Sequence, residues 1–244
     1  MQPEVCIEIS NLSKKYHKAD HFSLDKINLT LNAGDKFGIL GPNGAGKTTL
    51  ISIICGIIPA TSGEVLYQFP ENIKQQIGFV PQDYAFYPQL TPIQNMEYFG
   101  ALYNLSKKET QARIDYLLPI LGLEGVRNKK INSFSGGMKR RVNLGIGIIH
   151  TPSILLLDEP TVGVDVQSKH AIMQLLNELN DGGTTVIYTS HHLAEAEEFC
   201  NTIALIDHGK LVANDSTKLL LEKHNAVDLQ SLFIQLTGTE YRDV

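Results

Sequence analysis

The sequence predicts an α/β fold with a helical subdomain set into it, and three observations lead there. Short β-rich runs alternate with helical stretches, the interval 91–150 breaks that alternation, and a glycine-rich loop joins a strand to a helix.

The strand signals lie at "VCIEI" (5–9), "KFGILG" (36–41), "EVLY" (64–67), "IGFV" (77–80), "SILLLD" (153–158), "TTVIYTS" (184–190), "TIALID" (202–207) and "KLVA" (210–213). From about Thr91 to His150 no strand is expected. There "TPIQNMEYFGALYNL" opens with Thr then Pro, and "SKKETQARIDYLLPILGL" opens with a capping box made by Ser106 and Glu109. The expected organisation is one domain, 1–244. It has an α/β core (1–90 and 151–220), a helical insert (91–150) and a short tail (221–244), without internal repeats or low-complexity tracts.

At 244 residues and 43% hydrophobic content the chain can bury a sizeable core. Cys6, Cys55 and Cys200 are scattered with no CxxC pair, so neither a disulfide framework nor a zinc site is expected, and reduced thiols in the cytosol fit best. The longest apolar runs, "ILLL" from Ile154 and "LGIGII" from Leu144, fall far short of the roughly eighteen residues a membrane span requires. The chain is not expected to cross a membrane itself. Its start, "MQPEVCIEIS", lacks the basic and apolar segments of a signal peptide. A net charge of −5 argues against a nucleic-acid partner.

The most specific motif is "GPNGAGKTT", Gly41, Pro42, Asn43, Gly44, Ala45, Gly46, Lys47, Thr48 and Thr49. It satisfies GxxxxGK[ST] between a predicted strand and the apolar helix "TLISIICGII". Gly41, Gly44 and Gly46 let backbone N–H groups wrap phosphates, Lys47 reaches β/γ oxygens, and the Thr48 hydroxyl suits Mg²⁺. The second motif, "ILLLDEP" (154–160), reads as a buried parallel strand whose C-terminal end delivers two carboxylates. Asp158 is then the Mg²⁺-side acid, and Glu159 is placed to orient or deprotonate a water attacking the γ-phosphate. The third, "FSGGMKRRV" (134–142), is a helix start of serine and glycine followed by a basic turn. It is a second phosphate cradle on one small chain, unless Gly136 and Gly137 serve only close helix packing.

In order, the phosphate loop, "FVPQD", "FSGGM", "LLLDEP", "GVD" and "TSHH" resemble the nucleotide-binding subunit of an ATP-binding cassette (ABC) transporter over nearly the whole chain. The resemblance implies a P-loop NTPase core of the ABC ATPase type with an N-terminal antiparallel β part and an inserted α-helical subdomain. It implies ATP and Mg²⁺ as ligands and a head-to-tail dimer, with an identical or closely homologous cassette, in which each ATP is held between two subunits. Ser135, Gly136, Gly137 and Met138 then serve the partner's nucleotide, which accounts for the second cradle. The family's usual leucine and glutamine are Phe134 and Met138 here.

Other positions follow from the same resemblance. Gln82 matches the glutamine loop, reaching Mg²⁺ or the attacking water. His191 matches the switch histidine, with His192 as competitor. Asp165, flanked by Val164 and Val166 in place of leucine and proline, matches the loop that communicates across the dimer. Tyr16 stands where an aromatic ring stacks on adenine, with Phe22 and His17 as rivals.

The expected partner is a separate polytopic membrane permease docked on the helical insert, where "YAFYPQLTPIQNMEYFGALYNL" offers aromatic and apolar residues. That makes the expected location cytoplasmic, peripheral on the inner face of the membrane. The tail "DLQSLFIQLTGTEYRDV" resembles cassettes of the ABC-2 export type, which favours export over import or over a soluble cassette role in translation or cofactor assembly.

Overall fold

The structure is a computed structural model that describes residues 4–69 and 73–238. The described residues form two compact units, one running to residue 69 and resuming at Thr185, the other from 73 to Thr184.

In the first unit β1 (Val5–Lys14) pairs antiparallel with β2 (Leu24–Asn32) on one side and with β4 (Ser62–Tyr67) on the other. β2 lies outside the runs that the pattern predicts. Its buried residues are Leu24, Ile27, Leu29 and Leu31, and the alternation skips at Lys26, whose left-handed φ of 52° marks a bulge. A period-two signal is therefore clean only from Ile27 onward.

The same unit holds the strands that position the phosphate loop. β3 (Lys36–Leu40) lies between and parallel to β7 (Thr185–Ser190) and β8 (Thr202–Asp207), and β9 (Lys210–Ser216) pairs antiparallel with β8. The β3–β7 register ends with Leu40 opposite Ser190, so the loops after these two strands leave the same edge. α1 (Lys47–Ile54), α7 (Leu193–Phe199), α8 (Thr217–His224) and α9 (Leu229–Thr237) complete the unit. α9 buries Leu229, Leu232 and Phe233 of the tail motif, while Ile234 is exposed and Leu236 half-buried. The end of that motif, 239–244, lies outside the described residues, as do the first three residues of the chain.

In the second unit α2 (Ile73–Gln76) leads into β5 (Ile77–Val80), which pairs parallel with β6 (Ile154–Asp158). Between these strands run α3 (Pro92–Leu102), α4 (Lys107–Ile120) and α5 (Gly136–Gly147), and α6 (Val166–Asp181) follows β6. Capping chemistry sets the first two starts. Thr91 accepts from the Gln94 amide at 3.2 Å while its own amide donates to the Gln94 side chain at 3.0 Å. Ser106 and Glu109 exchange the equivalent bonds at 3.2 and 2.8 Å. Each box stabilises its helix by about 1 kcal/mol.

A buried histidine closes the helical stretch. The His150 ring stacks on Tyr103 with centroids 3.6 Å apart, and its Nε2 lies 3.1 Å from the Ile77 carbonyl oxygen. It is 8% exposed, and burial pushes its pKa down to about 4; the Ile77 carbonyl opposes that shift and the Arg113 guanidinium adds to it. The unfolded imidazole takes up a proton near pH 6.5 while the native one refuses it, so stability declines as pH falls through 6.5. By pH 4 the loss amounts to about 3 kcal/mol. His150→Phe keeps the ring stack and loses the titration. Its melting temperature is expected to change less between pH 7 and pH 5 than that of the parent, and equal slopes would remove His150 as the origin.

Candidate functional site

The phosphate loop is built by β3 and α1. Gly46 caps α1 with φ +112° and offers no side chain to the helix N-terminus; a Cβ there would run into the Ser23 carbonyl. The first N–H groups of α1 thus open onto the loop, with no acidic side chain in the first turn to compete for them. Lys47 is 5% exposed, and its ammonium donates to the carbonyls of Gly41 at 2.8 Å and Pro42 at 3.1 Å. The cation is held inside the loop it belongs to. Asn43, Gly44 and Thr48 are exposed, Thr49 is half-buried, and Ala45 is buried with its carbonyl accepting from the Gly209 amide at 2.9 Å.

Tyr16 sits beside this helix start, its hydroxyl 3.3 Å from the Thr49 hydroxyl and its exposed ring 5.3 Å from the Lys14 ammonium. Phe22 lines a cleft of about 780 Å³ together with Lys15, His21, His208 and Gly44 of the phosphate loop, while His17 is exposed.

His191 leaves the end of β7 beside the start of the phosphate loop, because Leu40 and Ser190 are paired and Gly41 N–H donates to the Ser190 carbonyl at 3.4 Å. It is half-buried, whereas His192 is exposed; their rings lie 4.0 Å apart. The turn is pinned twice. The His192 amide donates to the Ser190 hydroxyl at 2.9 Å, and the buried Tyr188 hydroxyl donates to the buried Glu195 carboxylate, tying β7 to α7.

In the second unit β6 ends in Asp158, 2% exposed, followed by Glu159, 6% exposed. Glu159 has φ 48°, a left-handed backbone that costs a non-glycine residue on the order of 1–2 kcal/mol. Strain of this kind at a buried acid marks a position held for its side chain rather than for stability. The Gln82 amide donates to Glu159 Oε2 at 3.5 Å, so the glutamine and the acid are brought together.

The helix that begins after Ser135 shows what each residue of its serine–glycine start does. Ser135 caps α5, accepting from the Met138 amide at 3.3 Å, and Phe134 is buried. Gly137 is buried, and a Cβ there would run into the Ser168 hydroxyl and press on Asp165, so only glycine lets α5 approach α6 this closely. Gly136 is exposed, and a Cβ there would meet nothing nearer than the Gly163 carbonyl at 3.5 Å. Packing explains one glycine and leaves the other open. Asp165, exposed, caps α6, accepting from the Ser168 amide and hydroxyl, both at 2.9 Å; these bonds hold its carboxyl below the usual range.

Sequence reasoning did not single out the residues that hold the Gln82 loop. Arg140 is 4% exposed and donates to the carbonyls of Pro81 at 3.2 Å, Gln82 at 2.8 Å and Val162 at 3.5 Å. Buried Asn143 donates to the Pro81 carbonyl at 3.1 Å and accepts from the Ala85 amide at 3.0 Å. The Tyr84 hydroxyl donates to the Gly136 carbonyl at 3.3 Å. Spacing of four and then three along α5 was the available signal, since Gly136, Arg140 and Asn143 share a face. Among the described residues no helix is long and apolar enough to cross a membrane.

Comparison with known proteins agrees with this geometry. The family model described as "ABC transporter" matches residues 24–162. The linearmycin resistance ATP-binding protein of Bacillus subtilis is 42% identical across 85% of this chain and 68% of its own length. The Nod factor export ATP-binding protein I of Cupriavidus metallidurans is 33% identical across 93% of this chain and 76% of its own. Among solved structures, an ATP-binding subunit of an ABC transporter superposes with TM-score 0.85 at 26% identity, covering 95% of this chain and 99% of that one. An ATP-binding cassette captured as a post-hydrolysis dimer with ADP and Pi gives TM-score 0.77 at 29% identity, covering 86% and 98%. With the family model spanning more than half of the sequence and solved ABC ATPases sharing the P-loop NTPase fold, the chain belongs to the ABC transporter family as an ATP-binding, ATP-hydrolysing subunit.

Proposed function

We propose that this chain is the motor of an exporter, working as a head-to-tail dimer with an identical or closely homologous cassette on the inner face of the membrane, and driving a separate polytopic permease. The observation that carries the hydrolytic part is Glu159, a buried carboxylate in a strained backbone with the Gln82 amide beside it. Its role is general base or water-orienting group, with His191 donating to the γ-phosphate. Lys47, the loop Gly41 to Gly46 and Thr49 take the phosphates, and Tyr16 stacks on adenine.

Thr48, Gln82 and Asp158 offer hydroxyl, amide and carboxylate oxygens, the hard-donor set that suits Mg²⁺. When bound, that ion neutralises charge on the β- and γ-phosphates. Ser135, Gly136, Gly137 and Met138 form the start of a helix whose N-terminus serves the partner's ATP, and Asp165 stands at the neighbouring helix start as the contact across the dimer.

Export is favoured by the relatives, one of which is named for Nod factor export and another for linearmycin resistance. Docking of the permease is assigned to the aromatic cleft of about 380 Å³ between the segment that follows Gln82 and α3, lined by Tyr84, Phe86, Tyr87, Tyr98, Phe99 and Leu102. Half-exposed tyrosines at that density suit a partner with both apolar and polar groups. Gentle solubilisation of host membranes, capture of this chain and mass spectrometry test the reading. A polytopic membrane protein at stoichiometric level is expected, and recovery only with ribosomes, nucleic acid or assembly factors would overturn the exporter.

Glu159→Gln is expected to lower ATP turnover at least about a hundredfold while ATP still binds, as measured by single-turnover phosphate release and equilibrium binding. Lys47→Ala is expected to weaken ATP binding itself. The two glycines separate by stability. Gly137→Ala overpacks the α5–α6 contact and is expected to cost about 1–3 kcal/mol in denaturant unfolding. Gly136→Ala is expected to leave unfolding unchanged and to impair hydrolysis while monomer binding of ATP persists; unimpaired hydrolysis would remove Gly136 from the nucleotide.

A further inference from the structure

The basic turn "KRR" after the glycines has no part in phosphate binding on the reading above, yet one of its side chains is buried at a junction. Arg140 reaches back from α5, and its guanidinium fork spans three backbone carbonyls. Two, Pro81 and Gln82, belong to the glutamine loop, and the third, Val162, follows Glu159 by three residues. The Tyr84 ring lies 5.3 Å from the guanidinium, and Arg140 Nε is buried with no hydrogen-bond partner.

This is an expensive arrangement. Burial disfavours the charged guanidinium, a cost offset by Tyr84 and by the nearby acids Asp83, Asp158 and Glu159. An apolar side chain of similar volume would pack there without that desolvation, so the cation is retained for what it holds. What it holds is the backbone of Gln82 on one side and the turn after Glu159 on the other, the two residues whose side chains meet at 3.5 Å.

We propose that Arg140 is a positioning residue for ATP hydrolysis, whose planar fork fixes the Gln82 loop and the Val162 turn to the helix beginning after Ser135 and so keeps the Gln82 amide at Glu159. The inference rests on the proposed roles of Gln82 and Glu159. Asn143, three residues on, grips the same loop at Pro81 and Ala85, so the loop and α5 behave as one body, and displacement of the helix start displaces Gln82 with it.

The test is steady-state ATP hydrolysis by the full chain with Arg140→Lys, Gln82→Ala and the double variant. Lysine keeps the charge and loses the fork. Arg140→Lys is expected to lower kcat about tenfold or more with the KM for ATP within about twofold, since misplacement of a catalytic group by an ångström costs up to about a hundredfold. The double variant should be no slower than the slower single one, because both act on one group. A residue that merely supports the fold would lower the active fraction and multiply with Gln82→Ala.

Wild-type kcat in Arg140→Lys, with Gln82→Ala impaired, overturns the inference alone. Wild-type kcat in Gln82→Ala overturns the role of Gln82 on which it rests, and the inference with it. Should Arg140→Lys fail to fold, Arg140→Gln, neutral and able to reach one carbonyl, replaces it in the same cycle with the same outcomes deciding.

Discussion

The constraint on which the first unit turns is a cation fixed in place by its own loop, Lys47. Its ammonium is withdrawn from water and held by two carbonyls of the loop it follows. A lysine free in solvent would lose rotamer freedom and hydration on meeting phosphate. Here part of that loss is already taken up in folding, and Gly46 turns the chain so that α1 begins with its N–H groups open. Two strands of the first unit serve this geometry. β3 brings the loop to the sheet edge, and β7 brings His191 to the same edge in register.

The second unit solves a different problem, that of holding acids where they are least comfortable. Asp158 ends a strand whose every residue is buried, and Glu159, next after it, adopts a backbone that glycine or asparagine would tolerate better. Such a position persists only when its surroundings over-determine it. Arg140 supplies part of that support by placing a cation in the field of both acids while bonding the turn after them.

α5 answers two separate demands of packing in one element. Its two first-turn glycines differ in what surrounds them: a Cβ on Gly137 would run into Ser168, whereas Gly136 is exposed with room where a Cβ would stand. Its next turns carry the grip on the glutamine loop. A serine–glycine start followed by basic residues is therefore two signals, one facing outward and one facing the loop behind.

How much could be read without coordinates follows from the range of each interaction. The GxxxxGK[ST] motif, the capping box of Ser106 and Glu109 and the apolar run before Asp158 are patterns of a few neighbouring residues, so their spacing alone specified them. The alternation of strands and the strandless stretch from Thr91 to His150 were legible for the same reason. β2 escaped because the bulge at Lys26 breaks the period that reveals a strand. The clamp of Arg140 and Asn143 on the Gln82 loop joins residues 58 to 62 positions apart, and the bond that pins the turn around His191 depends on which face of β7 meets α7. Which glycine packs and which stays open is likewise a property of the neighbour across the contact. The sequence by itself determined the chemistry on offer, because that chemistry resides in short motifs; only tertiary structure decided what each group is held against, because a buried charge or a missing Cβ acquires its meaning from atoms distant in the chain.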